Sequence, residues 1–295
     1  MKYLKELKFS NFFSSLAERF GFDAVHFITS LLEQGTYFRV NTIKTSIKEF
    51  FDIADFDYEK TSYKYGFLYK GKEKIGKTLS YFLGFIHPQS FSSMMPVLAF
   101  NNYMGIFLDA ASSPGSKTSQ IAAIKENKAG IYSIEKTYER ISLLVSNLDR
   151  LGVMNTCIIK ADSRHLPFNN NYFDNILLDA PCSSFGSSLY AIRRANERHV
   201  KAMARIQKAM ILSCFDALKT NGELVYSTCT ITTEENEGVI DSLIEKRENA
   251  KPMHFSLPVK CEKGEHGFIC SDYVKRIYPW HVNSEGFFIA KIKKI

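Results

Sequence analysis

The sequence predicts an α/β protein whose main domain is a doubly wound mixed sheet, preceded by a smaller α+β segment. From about residue 104 onward, short apolar runs alternate with helical periodicity, which is typical of a largely parallel sheet covered by helices. Acidic residues or cysteines follow several of these runs directly. The chain has 295 residues, 45% of them hydrophobic, which allows a core domain of about 200 residues and an appendage.

Five strands are predicted in the main domain, at residues 106–108, 131–134, 156–159, 172–178 and 223–226. The helix after the second strand carries apolar residues three and four positions apart, and Gly152 marks its end. Further helices are predicted at residues 196–219 and 236–246, and a closing antiparallel pair at residues 273–277 and 287–292.

The residues before about 104 have a different character, with a Phe-rich helical start and strand-like pieces at residues 37–42 and 63–68. Lysines there alternate with aromatic residues, namely Lys60, Tyr63, Lys64, Tyr65, Phe67, Tyr69, Lys70, Lys72, Lys74 and Lys77. Such a segment can clamp phosphates and stack bases. A β-hairpin with a solvated lysine face and a packed aromatic face explains the pattern equally well.

Charge and cysteine content restrict the cellular setting. The formal net charge of +7 suits a polyanionic partner, but it would also suit an ordinary soluble protein. Charged residues interrupt the first 20 positions, and residues 78–108 lack an apolar run of membrane-spanning length, so we expect neither export nor a membrane partner. The six cysteines show no C-x-x-C pair. We therefore expect free thiols in the cytoplasm and no metal site.

Acidic residues at successive strand ends predict a nucleoside cofactor. The small residues that follow Asp109 let a backbone approach a ligand, and Lys117 could assist in binding an anionic group there. Glu135 is placed to accept hydrogen bonds from ribose hydroxyls, and Asp162 could receive an adenine amino group. Each acid alone is more often a cap or a solvated carboxylate. A nicotinamide cofactor is disfavoured because no G-x-G-x-x-G follows the first strand.

Two cysteines give the sharpest signal, because Cys182 and Cys229 follow the fourth and fifth predicted strands. Their segments are Asp179-Ala180-Pro181-Cys182-Ser183 and Tyr226-Ser227-Thr228-Cys229-Thr230. A thiolate that adds to carbon 6 of cytosine makes carbon 5 nucleophilic enough to accept a methyl group. A base must then remove the carbon 5 proton, and Asp179 could bond the ring nitrogens meanwhile.

These segments resemble the Sun-type RNA cytosine-5 methyltransferases, the Nol/Nop/Sun family, over most of the chain. The matching motifs include both cysteine segments, Arg39-Val40-Asn41-Thr42, Pro88-Gln89-Ser90, the Pro114-Gly115 loop with Lys117-Thr118, Glu234-Glu235-Asn236-Glu237, Arg276, Pro279, His281 and Gly286-Phe287-Phe288. The resemblance implies a Rossmann-like class I methyltransferase domain at residues 86–295. It also implies a small RNA-binding-like domain at residues 1–85.

The resemblance further implies S-adenosylmethionine as the cofactor, with Cys229 as the nucleophile and Cys182 assisting release of the methylated base. The cofactor would contact Ala111, Ser112, Ser113, Pro114, Gly115, Ser116, Lys117, Glu135, Asp162 and Asp179. The expected partner is a structured RNA, with transfer RNA as first choice and ribosomal RNA as second, bound by a monomer.

Two departures from the family pattern concern substrate and cofactor. Ser112 and Ser113 stand where the family usually has Ala-Ala, and Arg193-Arg194-Ala195-Asn196-Glu197 replaces the usual Arg-x-Asn-Pro-Asp. The first bears on cofactor affinity and the second on substrate contacts. An RNA-binding assembly factor that has lost catalysis is the alternative function, although the chain keeps Cys182 and Cys229. A small-molecule methyltransferase is a third possibility.

Overall fold

The computed structural model describes residues 10–128 and 130–295 of the chain. Its helices are α1 (Asn11–Arg19), α2 (Ala24–Leu32), α3 (Ile47–Ile53), α4 (Leu79–Phe82), α5 (Phe91–Leu98), α6 (Ser116–Ile124), α7 (Tyr138–Leu151), α8 (Leu189–Arg193), α9 (Glu197–Ala217), α10 (Glu237–Lys246) and α11 (Pro279–Val282). Its strands are β1 (Tyr37–Val40), β2 (Tyr58–Lys60), β3 (Gly66–Tyr69), β4 (Ile86–Pro88), β5 (Phe107–Asp109), β6 (Ile131–Glu135), β7 (Thr156–Lys160), β8 (Phe173–Asp179), β9 (Leu218–Thr228), β10 (Ala250–Pro252), β11 (Lys275–Ile277) and β12 (Phe287–Lys294).

The large sheet has the strand order β7-β6-β5-β8-β9-β12-β10, and β11 also pairs with β12. Strands β5 to β9 are parallel to one another, whereas β12 runs antiparallel to β9 and to β11. The predicted doubly wound mixed sheet and its closing antiparallel pair are therefore confirmed.

Alternate side chains of the central strands supply two separate cores. Ile176 and Leu178 of β8 pack with residues of α9 and α10, while Leu177 packs on the opposite face with residues of α5, α6 and α7. This two-sided burial explains why the predicted strands appear in the sequence as continuous apolar runs. Gly152, with φ +71°, ends α7 as predicted.

The small sheet is antiparallel, with the order β2-β3-β1-β4. Strand β4 pairs with β1 although it follows the domain boundary predicted after residue 85. Helices α1 and α2 pack against Phe185, Ile192 and Tyr278 of the other half of the chain. The division into two domains remains a prediction.

The Lys-aromatic segment, Lys60 to Lys77, begins at the last residue of β2, passes through a turn into β3 and ends in a 3-10 helix at Ile75–Lys77. Tyr63 and Phe67 are 8% and 2% exposed and belong to hydrophobic cores, so their rings are unavailable for stacking a base. The strand predicted at residues 63–68 begins later, at Gly66, because the Thr61 hydroxyl bonds the carbonyls of Tyr63 and Gly66 and holds a turn.

Motif residues of the small sheet connect it to the large one. Arg39 is 1% exposed, and its guanidinium donates to Gln89 Oε1 at 3.3 Å and to Ser119 Oγ of α6 at 2.8 Å. The Asn41 amide donates to the carbonyls of Gly84 and Leu151. Within residues 10–128 and 130–295, no helix is both long enough and apolar enough to cross a membrane.

Candidate active site

Two neighbouring cavities lie at the carboxyl ends of the parallel strands, where the strand order reverses between β5 and β8. Ligands of open α/β sheets bind at such a switch point. The cavities have volumes of about 320 Å³ and 570 Å³, and Asp179 and Cys229 line both of them. Of the other strand-end residues singled out in the sequence, Glu135, Asp162 and Cys182 line the larger cavity and Asp109 lines the smaller one.

The loop after β5 contributes Ala111 and Ser113 to both cavities. Ser112 Oγ donates to the Asp109 carbonyl at 2.8 Å, and Ser113 Oγ donates to the Arg140 carbonyl at 2.9 Å. The two hydroxyls that depart from the family pattern therefore fasten the loop to β5 and α7. They do not stand free in the cavity.

Gly115 differs from the other predicted contact residues of this loop, since it lines neither cavity. Its φ is +101°, and an added Cβ would lie 3.0 Å from Leu144 Cδ1. Pro114, Ser116 and Lys117 do line the smaller cavity. Gly115 is therefore placed to allow the backbone turn into α6 and close packing on α7.

The acids after β6 and β7 face the larger cavity, and both are bound by cations of the chain. Glu135 accepts from Arg140 Nε at 2.9 Å and from the backbone N–H of Lys136 at 2.7 Å. Asp162 accepts from Arg164 Nη2 at 2.6 Å and pairs with Lys136 Nζ at 3.0 Å. The hydrogen bonds from Arg164, helped by Lys136, hold the pKa of the Asp162 carboxyl well below its usual range.

Asp109 lies beneath the loop and is 1% exposed. Thr118 Oγ1 donates to its Oδ2 at 2.6 Å, and the Ala111 N–H donates to its Oδ1 at 3.4 Å. Burial raises the pKa of Asp109 to about 6, against the lowering effect of the Thr118 hydrogen bond. This acid supports the loop from below, while Glu135 and Asp162 face the larger cavity.

Asp179 and Lys117 form an ion pair on the shared wall. Lys117 Nζ lies 2.7 Å from Asp179 Oδ2 and 2.8 Å from Ser93 Oγ, and Ser227 Oγ donates to Asp179 Oδ1 at 2.7 Å. The lysine side chain is only 9% exposed, whereas the aspartate side chain is 28% exposed. Lys117 thus orients the Asp179 carboxylate, a contact that sequence spacing did not suggest.

The two cysteines meet at the larger cavity, with 3.3 Å between Cys182 Sγ and Cys229 Sγ. Ser187 Oγ donates to Cys229 Sγ at 3.4 Å, and Ser184 Oγ lies 3.6 Å from the same sulfur. Hydrogen bonding with Cys182, and then with Ser187 and Ser184, lowers the pKa of Cys229 despite its burial. The hydrogen bond to Cys229, together with burial, raises the pKa of Cys182 well above its usual value. One thiol is thus prepared to ionise and the other to keep its proton.

Comparison with known proteins identifies the family of the chain. The family model described as 16S rRNA methyltransferase RsmB/F matches residues 96–293. The chain belongs to this RsmB/F family. It is 35% identical over 271 residues to a tRNA (cytosine(49)-C(5))-methyltransferase of Pyrococcus abyssi, which covers 87% of each chain.

Two further relatives extend the RsmB/F comparison. The chain is 38% identical over 279 residues to ribosomal RNA small subunit methyltransferase F of Aliivibrio fischeri, a match that covers 87% of the chain but only 57% of that relative. The crystal structure of NSun6 from Pyrococcus horikoshii with SFG superposes with a TM-score of 0.85 at 24% identity, covering 97% of the chain and 98% of that structure. The resemblance to the Sun-type family, the Rossmann-like class I fold, the methyltransferase class and S-adenosylmethionine as cofactor are confirmed.

A buried polar network holds the two cysteine loops of this RsmB/F family member together. Glu235, 0% exposed, accepts from the Ser183 N–H at 2.9 Å, from Gln207 Nε2 at 2.9 Å and from Thr232 Oγ1 at 3.1 Å. Ser183 Oγ and Thr230 Oγ1 lie 2.7 Å apart, which adds a direct bond between the loops. The distance between the sulfurs is therefore fixed by groups outside the cavity.

Three residues of this arrangement were not predicted as site residues: Ser184, Ser187 and Glu235. The serine-rich stretch after Cys182 and the position of Glu235 within a family motif were the only sequence signals for them. Neither signal could show that the hydroxyls point toward a sulfur 42 or 45 residues away, nor that the carboxylate caps a loop 52 residues away.

Proposed function

We propose that the chain transfers a methyl group from S-adenosylmethionine to carbon 5 of a cytosine in RNA through a covalent bond to Cys229. The observation that carries this proposal is the 3.3 Å approach of two thiols, one with a lowered pKa, on the wall shared by two cavities. A thiol with a lowered pKa ionises more readily, and a thiolate is the nucleophile that the poorly reactive cytosine ring requires.

The residues around the larger cavity fit the cofactor. Glu135 and Asp162 offer carboxylate oxygens, and an apolar wall suits an adenine ring, with Ile134, Ala161, Met203, Ile206 and Met210 as its members. Small residues of the loop after β5 allow the close backbone approach that a methionine moiety needs. When bound, S-adenosylmethionine supplies an electrophilic methyl group on a sulfonium.

The protein's own groups would act in order around the cytosine. Cys229 Sγ attacks carbon 6, and the electrons of the ring double bond become available at carbon 5 for the methyl group. Asp179, held by Lys117 and Ser227, bonds the ring nitrogens where charge develops. A base then takes the carbon 5 proton, the electrons of that C–H bond restore the ring double bond, and the Cys229 sulfur leaves carbon 6 as a thiolate. Cys182, whose sulfur lies 3.3 Å from that of Cys229, assists this release.

The RNA substrate is proposed to be transfer RNA, with ribosomal RNA as the second choice. The chain covers 87% of the tRNA-modifying relative from Pyrococcus abyssi and 57% of the rRNA-modifying relative from Aliivibrio fischeri. The match to the tRNA-modifying relative spans most of both proteins, which supports transfer RNA as the first choice. We propose further that the chain binds this RNA as a monomer and without a membrane partner.

Methyl transfer from labelled S-adenosylmethionine to total RNA tests this function, with bisulfite sequencing to locate the modified base. We expect 5-methylcytosine with the natural chain and with Cys157→Ala, a control that removes an exposed cysteine of β7 far along the sheet. Cys229→Ala should give none. Label on any atom other than carbon 5 of cytosine would contradict the proposal, and RNA binding without label would favour the assembly factor.

A further inference from the structure

Positive charge is concentrated between the two cysteine loops. Residues 193–208 contain one acid, Glu197, and six cationic side chains, namely Arg193, Arg194, Arg198, Lys201, Arg205 and Lys208. This short stretch carries five of the chain's seven net positive charges. It begins eleven residues after Cys182 and continues into α9.

Three of these cations form a stripe on α9, since Lys201, Arg205 and Lys208 are four and three residues apart. Like charges at these spacings destabilise a helix by a few tenths of a kcal/mol per pair. Only Lys201 has a carboxylate within 4.0 Å, that of Glu197 at 2.5 Å, among the side chains of residues 10–128 and 130–295. The three like charges therefore reduce the stability of α9.

The stripe lies on a shallow depression of about 380 Å³ that Arg19, Thr233 and Glu234 complete. Arg19 of α1 donates to Thr233 Oγ1 at 2.7 Å and to Glu234 at 3.1 Å, so a further cation is fastened to the loop that follows Cys229. Gln207 of α9 donates to the Pro181 carbonyl at 2.8 Å, beside Cys182. The cationic surface is therefore attached to both cysteine loops.

The other side of α9 belongs to the active site. Met203, Ile206 and Met210 line the cavity that contains both cysteines, while Lys201, Arg205 and Lys208 line the outer depression. Helix α9 thus has the reaction cavity on one side and, on the other, a cationic surface that can bind negatively charged groups. A flipped base and its flanking backbone require such a separation.

The hairpin region offers a contrast. Residues 52–77 carry six lysines against five acids, a net charge of only +1. Lys70 pairs with Glu59 at 3.2 Å, and Lys60 and Lys64 lie over the rings of Phe51 and Tyr65. Three of the six lysines thus have local partners, and the five acids offset all but one of the six charges. On α9, Arg205 and Lys208 have no carboxylate within ion-pair distance in the described residues, and only one acid lies in their stretch of sequence.

We infer that the face of α9 formed by Lys201, Arg205 and Lys208, with Arg19 beside it, binds the phosphate backbone of the RNA substrate next to the target cytosine. This inference rests on the proposed action on RNA. It assigns the main electrostatic contact to the catalytic half of the chain and not to the lysine-rich hairpin. Phosphate contacts of this kind position a nucleic acid without selecting its sequence.

The test compares two triple variants that remove the same charge. In one, Lys201, Arg205 and Lys208 are all changed to Gln, which is polar and uncharged and has a helix propensity similar to that of Lys and Arg. In the matched control, Lys70, Lys72 and Lys74 are all changed to Gln. Affinity for unfractionated, end-labelled tRNA is measured by fluorescence anisotropy between about 50 and 200 mM salt, a range in which phosphate contacts dominate the salt dependence.

We expect the α9 variant to reduce the slope of log affinity against log salt by about two and to raise the KM for RNA about tenfold. The hairpin variant should change neither. A thermal unfolding temperature equal to or slightly above that of the natural chain, with unchanged affinity for S-adenosylmethionine, would show that the fold and the cofactor site of the α9 variant are intact.

An unchanged slope in the α9 variant, or a larger change in the hairpin variant, would overturn the inference. Because the slope measures binding alone, this outcome is separable from failure of the proposed function. Cytosine methylation with an unchanged slope rejects only the α9 surface. A reduced slope without methylation rejects only the proposed activity and supports the surface.

Discussion

The cofactor end and the cysteine end of the site are stabilised in different ways. At the cofactor end, Glu135 pairs with Arg140, whose side chain is 56% exposed, and Asp162 pairs with Lys136 and Arg164, which are 63% and 39% exposed. At the cysteine end, Glu235 and its hydrogen-bond partners Ser183, Gln207 and Thr232 are fully or almost fully buried.

This difference has consequences for how each end responds to mutation. Ion pairs whose cation is largely exposed contribute little, and the carboxylate can exchange that cation for a ligand hydroxyl. A buried network loses much more when one group is left without a partner. We therefore expect mutations at the cofactor end to lower cofactor affinity by degrees. Mutations at the cysteine end should abolish methyl transfer or leave it intact.

The largest expected effect is at the cysteine end. Cys229→Ala removes the nucleophile, so methyl transfer should fall by about 10³-fold or more and no covalent protein–RNA species should form. Cys182→Ala should still attack and methylate but release slowly, so a covalent complex should accumulate and survive denaturing electrophoresis. The two variants should look opposite on the same gel.

The reverse pattern would exchange the assigned roles of the cysteines. If Cys229→Ala traps RNA while Cys182→Ala does not, Cys182 is the nucleophile. Full activity in both single variants would remove the thiol mechanism altogether. Cys214→Ala would be a poor control, because Cys214 is buried in the core, and the exposed Cys157 is the better choice.

A smaller, graded effect is expected at the cofactor end. Glu135→Ala should weaken binding of S-adenosylmethionine by about 1–3 kcal/mol through lost hydrogen bonds, with little change in folding stability. Isothermal titration calorimetry measures this directly. Glu139→Ala is the matched control, since Glu139 is an exposed acid in the first turn of α7 that lines neither cavity. Equal affinity in Glu135→Ala and the natural chain would remove Glu135 from the site.

The sequence predicted the large sheet well because its strands are buried on both faces. The apolar run Ile176, Leu177 and Leu178 is typical of a strand with a core on each side, and its side chains do pack on both faces of the sheet. Boundaries were less predictable where polar residues continue a strand. Strand β9 begins at Leu218 and not at the predicted residue 223, since Leu218 pairs with Phe173 before an irregularity in the register.

The positions of the site residues were predictable because strand ends meet at one edge of a parallel sheet, but their partners were not. Lys117 was expected near an anionic ligand. The sequence did not indicate that its ammonium group also bonds Asp179, which comes from another strand. Glu235 reaches Ser183 across 52 residues. Such contacts depend on loop conformation, which the period of apolar residues does not encode.

The smallest expected effect concerns the pH dependence of folding stability through Asp109. This strand-end acid is fully buried and accepts a hydrogen bond from the Thr118 hydroxyl, whereas Glu135 and Asp162 are ion-paired. Burial raises the pKa of Asp109 to about 6, above its value in the unfolded chain. Its contribution to stability is therefore complete below the unfolded pKa of about 4 and is lost as pH rises through about 6.

Between about pH 5 and pH 8, the natural chain should lose about 1 kcal/mol of unfolding free energy through Asp109, because roughly one pH unit of the transition lies in that range. Asp109→Asn keeps an acceptor for Thr118 but cannot ionise, so the difference between the two unfolding free energies should shift in favour of the variant as pH rises. Urea unfolding at the two pH values measures this difference. If the unfolding free energies of the natural chain and of Asp109→Asn change with pH in parallel, Asp109 is ionised over the whole range. Its hydroxyl and backbone donors would then stabilise a buried charge to the same degree that the exposed cations stabilise the charges of Glu135 and Asp162.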